Sequence, residues 1–213
     1  MSGGVLVKIC GITRLEDALW ASGLGADCLG FNFWPNSPRY LPPRSAAALV
    51  DALPPSVLPV GVLVDPSEEE LLEAVRVSGI RAVQLHGDEP PALCAKSPVP
   101  VVKAIRVKDR RSLSALGAYA VSAFLLDSAS PGYGGSGTSF DWSVAAEIGA
   151  RVPLFLAGGL TPENVAQAIR RVRPRGVDVA SGVESAPGHK DRRLVEAFIR
   201  NAKSALEPVK EGP

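Results

Sequence analysis

Residues 122–142 read SAFLLDSASPGYGGSGTSFDW. An apolar run, Ala123 to Leu126, stops abruptly on the carboxylate of Asp127. Gly132, Gly134, Gly135 and Gly137 follow, and a helix-like segment opens at Asp141-Trp142. Strand, glycine loop and helix in that order make one βα unit, with an acid where the strand hands over to the loop. Residues without Cβ let a loop turn its N–H groups toward an anion. The helix start behind it adds orphan N–H groups and a positive dipole end. The spacing is not that of a Walker loop, because no Gly-Lys-Ser/Thr follows. Alone, such a turn also suits a plain flexible loop, so the other strand ends decide what it is for.

Moving outward, short apolar runs recur with helical segments between them: Val5–Cys10, Cys28–Phe33, Pro59–Val64, Ala82–Leu85, Val101–Arg106, Ala123–Asp127, Leu154–Ala157 and Val177–Ala180. Nearly continuous apolar strands that alternate with helices imply a parallel sheet covered by helices. An open doubly wound sheet usually has fewer strands, and here the glycine sites follow the sixth, seventh and eighth runs, not the first. The expected fold is therefore α/β, a single-domain (β/α)8 TIM barrel over residues 1–207, with 208–213 a frayed tail. Thr13 is the expected N-cap of the first helix, and Pro42-Pro43 opens the second. Ser67 and Glu70 match a capping box for the third. Thr161-Pro162-Glu163 should cap the seventh helix, and Asp191 should start the last.

With 213 residues, 46% apolar and 21% charged, the chain has the composition of a globular protein with one sizeable core. A net charge of +1 gives no basis for a nucleic-acid surface or a membrane patch. No basic, apolar leader and no long apolar span is visible, so a cytoplasmic protein is expected. Cys10, Cys28 and Cys94 lack CxxC spacing and fit neither a disulfide framework nor a zinc site. No metal is implied, as no His/Asp/Glu cluster has ligand spacing, and a monomer or a homodimer is expected.

Barrel active sites lie at the carboxyl ends of the strands, with phosphate commonly held after strands seven and eight. Gly158-Gly159 precedes a helix start, and Ser181-Gly182-Val183 resembles the entry to a short extra turn. With Gly135-Ser136-Gly137 they give three sources of backbone amides around one anion. Cys10 ends the first run; a small buried thiol is the plain alternative there, but a thiol at a barrel mouth can be held as thiolate and take a proton. Cys28 and Cys94 are assigned to packing. Lys8 shares a strand face with Cys10, and strands one and eight are neighbours in a closed barrel, so Lys8 and Asp178 can pair inside it as a structural ion pair. His86 stands at another strand end, either lining the site or simply sitting in a turn. Arg39 lies in a proline-stiffened loop, where a fork of donors suits a carboxylate.

Several of these pieces together resemble the phosphoribosylanthranilate isomerase family of tryptophan biosynthesis. They are Val7-Lys8-Ile9-Cys10-Gly11-Ile12-Thr13, Ser37-Pro38-Arg39, Val83-Gln84-Leu85-His86-Gly87, Leu126-Asp127, Gly134-Gly135-Ser136-Gly137, Ala157-Gly158-Gly159-Leu160-Thr161-Pro162-Glu163-Asn164 and Gly176-Val177-Asp178-Val179-Ala180-Ser181-Gly182-Val183-Glu184. Ala180, where the family often has serine, is a departure. The resemblance implies a cofactor-free Amadori rearrangement of N-(5-phosphoribosyl)anthranilate to 1-(2-carboxyphenylamino)-1-deoxyribulose 5-phosphate. It also implies Asp127 as general acid, Cys10 as general base, Arg39 on the anthranilate carboxylate and the three glycine loops on the phosphate. The histidine-pathway isomerase of the same fold is the nearest alternative, but is expected to have an aspartate where this chain has Cys10. Indole-glycerol-phosphate synthase would need lysine and glutamate placements not evident here. A non-catalytic sugar-phosphate binder would need neither Cys10 nor Asp127.

Overall fold

The computed structural model describes residues 4–107, 116–128, 142–149 and 152–206. Its strands are β1 (Leu6–Cys10), β2 (Cys28–Asn32), β3 (Leu58–Leu63), β4 (Ala82–Leu85), β5 (Val101–Val107), β6 (Ala123–Ser128), β7 (Leu154–Leu156) and β8 (Gly176–Val179). They close into one barrel in chain order. The ring shuts where Leu6 to Ile9 of β1 pair in parallel with Gly176 to Val179 of β8. Helices α1 (Leu15–Gly23), α2 (Pro43–Asp51), α3 (Glu68–Ser78), α4 (Pro91–Cys94), α5 (Trp142–Gly149), α6 (Val165–Val172) and α7 (Arg192–Lys203) cover the outside. Among the described residues the connection after β5 carries only a 3-10 turn, Leu116–Ala118. No described helix is long and apolar enough to cross a membrane.

Alternation along each strand sorts the core into two regions. Outward residues such as Ile9, Leu29, Phe31, Leu85 and Leu156 join the helices in one large cluster. Inward residues fill the barrel: Ala104, Ala123, Leu125, Phe155 and Ala157 form one patch, and Cys28, Val60 and Ala82 another. Cys28 thus packs the barrel interior, and burial pushes its thiol up to about 11.

Helix starts follow the sequence in part. Ser67 accepts from Glu70 N at 3.2 Å and Glu70 reaches back to Ser67 N at 2.8 Å, which completes the capping box. Pro43 sits in the first turn of α2, and Asp191 accepts from Arg193 N and Leu194 N to cap α7. Two expectations need correction. Thr13 is not a cap: Arg14 is the residue ahead of α1, and Thr13 Oγ1 instead donates to Gly188 O at 2.6 Å. Thr161 does not cap α6, which begins at Val165 after Asn164. The Asn164 side chain organises the turn before it, accepting from Thr161 N at 2.9 Å and donating to Gly159 O at 2.8 Å.

One charged cluster lies beneath the helices. Lys103, on the outward face of β5, is 2% exposed. Its Nζ donates to Glu89 Oε2 at 2.8 Å and to Gly87 O at 2.8 Å. Glu89 Oε1 accepts from Asp65 N at 3.0 Å and from Gly87 N at 2.8 Å. A buried ammonium and carboxylate therefore tie together the loops that follow β3 and β4, with every bond inside the protein.

Candidate active site

Cys10 ends β1 and is 8% exposed. Beside it in register on β2 stands Gly30. A Cβ there would lie 2.7 Å from Cys10 Sγ and 3.1 Å from Lys8 Nζ, so the missing side chain is what leaves room for thiol and ammonium together. Lys8 Nζ donates to Asp178 Oδ1 at 2.8 Å inside the barrel, the pairing expected from the closure of β1 on β8. Burial works against the Lys8 charge, but Asp178 and then Cys10 hold its pKa above the usual lysine value. At Cys10 burial pushes the thiol up and the Lys8 ammonium only partly offsets it. The expected stabilised thiolate is thus not what the surroundings give; dehydration outweighs the neighbouring cation.

Across the mouth, Asp127 lies on β6, two residues beyond Leu125 and therefore on the inward face. His86 follows β4, its Nε2 3.4 Å from Asp127 Oδ2, with side chains 18% and 24% exposed. Asp127 and His86 thus come together at the rim, while Lys8 and Asp178 pair below it.

Arg39 reaches the site from the loop after β2. Its Nε and Nη2 fork onto Glu184, with Nε 2.8 Å from Oε1 and Nη2 2.6 Å from Oε2. Lys190 Nζ donates to the same carboxylate at 2.7 Å and to Ala180 O at 3.2 Å. Burial would raise the Glu184 pKa, yet Arg39 and Lys190 hold it below the usual carboxylate range. Burial also lowers the pKa of Lys190, against the pull of Glu184. Glu184 and Lys190 belong to a hairpin after β8, β9 (Glu184–Ala186) paired with β10 (His189–Lys190). Sequence reasoning gave neither a role; the one available signal was two charges flanking a Pro-Gly turn. Gln84 was also missed, although alternation along β4 places it inward, in line with Ala82 and His86.

The loops after β7 and β8 meet at the same rim. Gly158 and Gly159 both have positive φ, 82° and 65°. Ser181–Val183 form the expected short turn, a 3-10 helix. A Cβ on Gly182 would lie 2.0 Å from the Leu160 carbonyl oxygen, so the two loops are in backbone contact. Gly182→Ala should therefore displace both loops and raise KM about tenfold or more, with a smaller change in kcat, in initial-rate measurements. Gly135, Ser136 and Gly137 lie outside the described residues.

Chemically, three cations (Lys8, Arg39, Lys190) face two carboxylates (Asp178, Glu184) around one thiol. The surplus positive charge suits an anionic ligand or a transient thiolate. A carboxyl stands apart from that cluster, on β6. Such a mouth can protonate one atom of a ligand while taking a proton from another.

Known proteins resemble this chain in sequence and in fold. Residues 7–201 match the model of the N-(5'phosphoribosyl)anthranilate (PRA) isomerase family. The N-(5'-phosphoribosyl)anthranilate isomerase of Myxococcus xanthus is 53% identical over 205 residues, covering 94% of this chain and 97% of that protein. The crystal structure of phosphoribosyl anthranilate isomerase from Thermotoga maritima is similar at a TM-score of 0.90 and 48% identity, over 94% of this chain and 99% of that one. A crystal structure of the same kind of enzyme in complex with reduced 1-(o-carboxyphenylamino)-1-deoxyribulose 5-phosphate is similar at a TM-score of 0.86 and 45% identity, over 94% and 99%. The chain belongs to the N-(5'-phosphoribosyl)anthranilate isomerase family.

Proposed function

We propose that Cys10 and Asp127 divide the chemistry of a phosphoribosylanthranilate isomerase between them. The chain is an enzyme of tryptophan biosynthesis, catalysing an aldose–ketose isomerisation. Asp127 gives its proton to the furanose ring oxygen, the C1–O bond breaks, and the anilino nitrogen lone pair forms the C1=N iminium. The iminium acidifies C2–H, and the Cys10 thiolate removes that proton to leave an enolamine. The enolamine takes a proton at C1 and loses the one on the 2-hydroxyl, which yields the ketone. Arg39 faces the anthranilate carboxylate with the donors that Glu184 leaves over. The turns at Gly158-Gly159 and Ser181-Gly182-Val183, with Gly135-Ser136-Gly137, receive the phosphate.

The observation that carries this assignment is a thiol and a carboxyl at the ends of different strands, β1 and β6, facing one mouth. Two separated groups suit a reaction that protonates one atom and deprotonates another. All the groups named belong to one chain, so a monomer and a homodimer would each hold a complete site; we place the activity in the cytoplasm. Purified protein mixed with phosphoribosylanthranilate should quench anthranilate-type fluorescence at enzymic rate. Turnover of the histidine-pathway aminal in its place would move the assignment to that isomerase. An inert protein whose melting temperature still rises with a sugar phosphate would be a binding module.

A further inference from the structure

Asp127 has a supporting chain of side chains behind it. His86 Nε2 lies 3.4 Å from Asp127 Oδ2. The other ring nitrogen, Nδ1, lies 2.7 Å from Gln84 Nε2. With the amide oriented as it is here, nitrogen toward the ring, Nδ1 accepts, and a ring with one N–H carries it on Nε2, toward the carboxyl. Gln84 is 1% exposed, and its Oε1 has no hydrogen-bond partner among the described residues. Burying an amide with half of its capacity unused is unfavourable, and a leucine would fill the barrel more cheaply. What the amide does achieve is to aim the histidine.

We propose that His86 is a positioning residue for Asp127, and that Gln84 fixes the ring tautomer and orientation this requires. The inference rests on Asp127 being the ring-opening acid. One carboxyl oxygen accepts from His86 Nε2–H while the other carries the proton to the ring oxygen. As that proton leaves, negative charge grows on the carboxyl and the histidine's hydrogen bond becomes charge-assisted, shorter and stronger. Contacts of this kind are often long without substrate and tighten during the reaction. Because the bond strengthens in the transition state, its loss should fall on kcat and spare KM.

The test compares His86→Leu, His86→Gln, Gln84→Met and Asp127→Asn with the wild type. His86→Leu should lower kcat about 10–100-fold with KM within about twofold. His86→Gln, whose amide N–H reaches the same way, should recover part of that loss. The chain has only two histidines, so 15N labelling of histidine resolves the ring directly, with exposed His189 as internal reference. Wild type should show His86 protonated on Nε2, and Gln84→Met should show a mixture of tautomers. An Nδ1–H ring in wild type, an unchanged kcat in His86→Leu, or a rise in KM alone would overturn the proposal. If Asp127→Asn is inactive while His86→Leu is unaffected, only this proposal falls. If Asp127→Asn keeps full activity, the acid assignment falls and this proposal with it.

Discussion

Cys10→Ala is expected to lower kcat about 10²–10⁴-fold, the range for loss of a general base, with KM little changed. In its proposed role the thiol accepts the C2 proton only as thiolate, and burial holds its pKa above the ordinary thiol value. Below that pKa the thiolate fraction grows about tenfold per pH unit, so wild-type kcat/KM should climb on the alkaline side. Cys10→Asp puts a carboxylate base at the same strand end; activity should partly return and the alkaline climb should disappear. Initial rates across pH for the three proteins check both statements. A flat wild-type profile, or full activity in Cys10→Ala, would remove the thiol from the reaction. The dehydration that raises the thiol pKa also strengthens the pull of any cation brought beside it. The substrate iminium is such a cation, so the base is expected to become more fully ionised when the ring has opened.

The second large effect lies away from the chemistry. Lys103→Met should destabilise the chain by about 3–5 kcal/mol, because Glu89 stays buried as an uncompensated charge. Its side chain is 0% exposed beside a lysine that is 2% exposed, so water cannot take over the lost partner. Adding Glu89→Gln should recover most of the loss, since the amide oxygen still accepts from Asp65 N and Gly87 N without bringing a charge. Urea unfolding of the single and double variants gives the comparison. A single variant within about 1 kcal/mol of wild type would show that the pair is not what holds those loops.

The eight strands were legible because a parallel barrel buries both faces of every strand and leaves long apolar runs. The placement of Cys10 and Asp127 at strand ends, and of Gly182 in the turn just past one, was legible for a related reason: strand ends are fixed once strands are fixed. Lys103 and Glu89 were not, because a charge in sequence gives no sign of a partner 14 positions away on another element. The grip of Glu184 and Lys190 on Arg39 needed the hairpin after β8, where Lys190 folds back over a carboxylate six positions earlier. Thr13 suits a cap by type, but its hydroxyl found the Gly188 carbonyl instead, a contact spanning 175 residues that no local rule reaches. The direction of the Cys10 shift was equally hidden, since it depends on how completely the mouth is dried.

The joint between β1 and β8 bears on how the chain is made. Lys8 and Asp178 are separated by 170 residues, so β1 leaves the ribosome long before its counter-charge does. Until then a barrel of seven strands has two open edges and a lysine on an interior face with nothing to neutralise it. Contacts this distant in sequence must overcome the entropy of a long loop before they stabilise anything. Synthesis and closure are thereby coupled: the site around Cys10 takes shape only when the eighth strand has docked, and a chain stopped before Asp178 should have neither a finished barrel nor a working base.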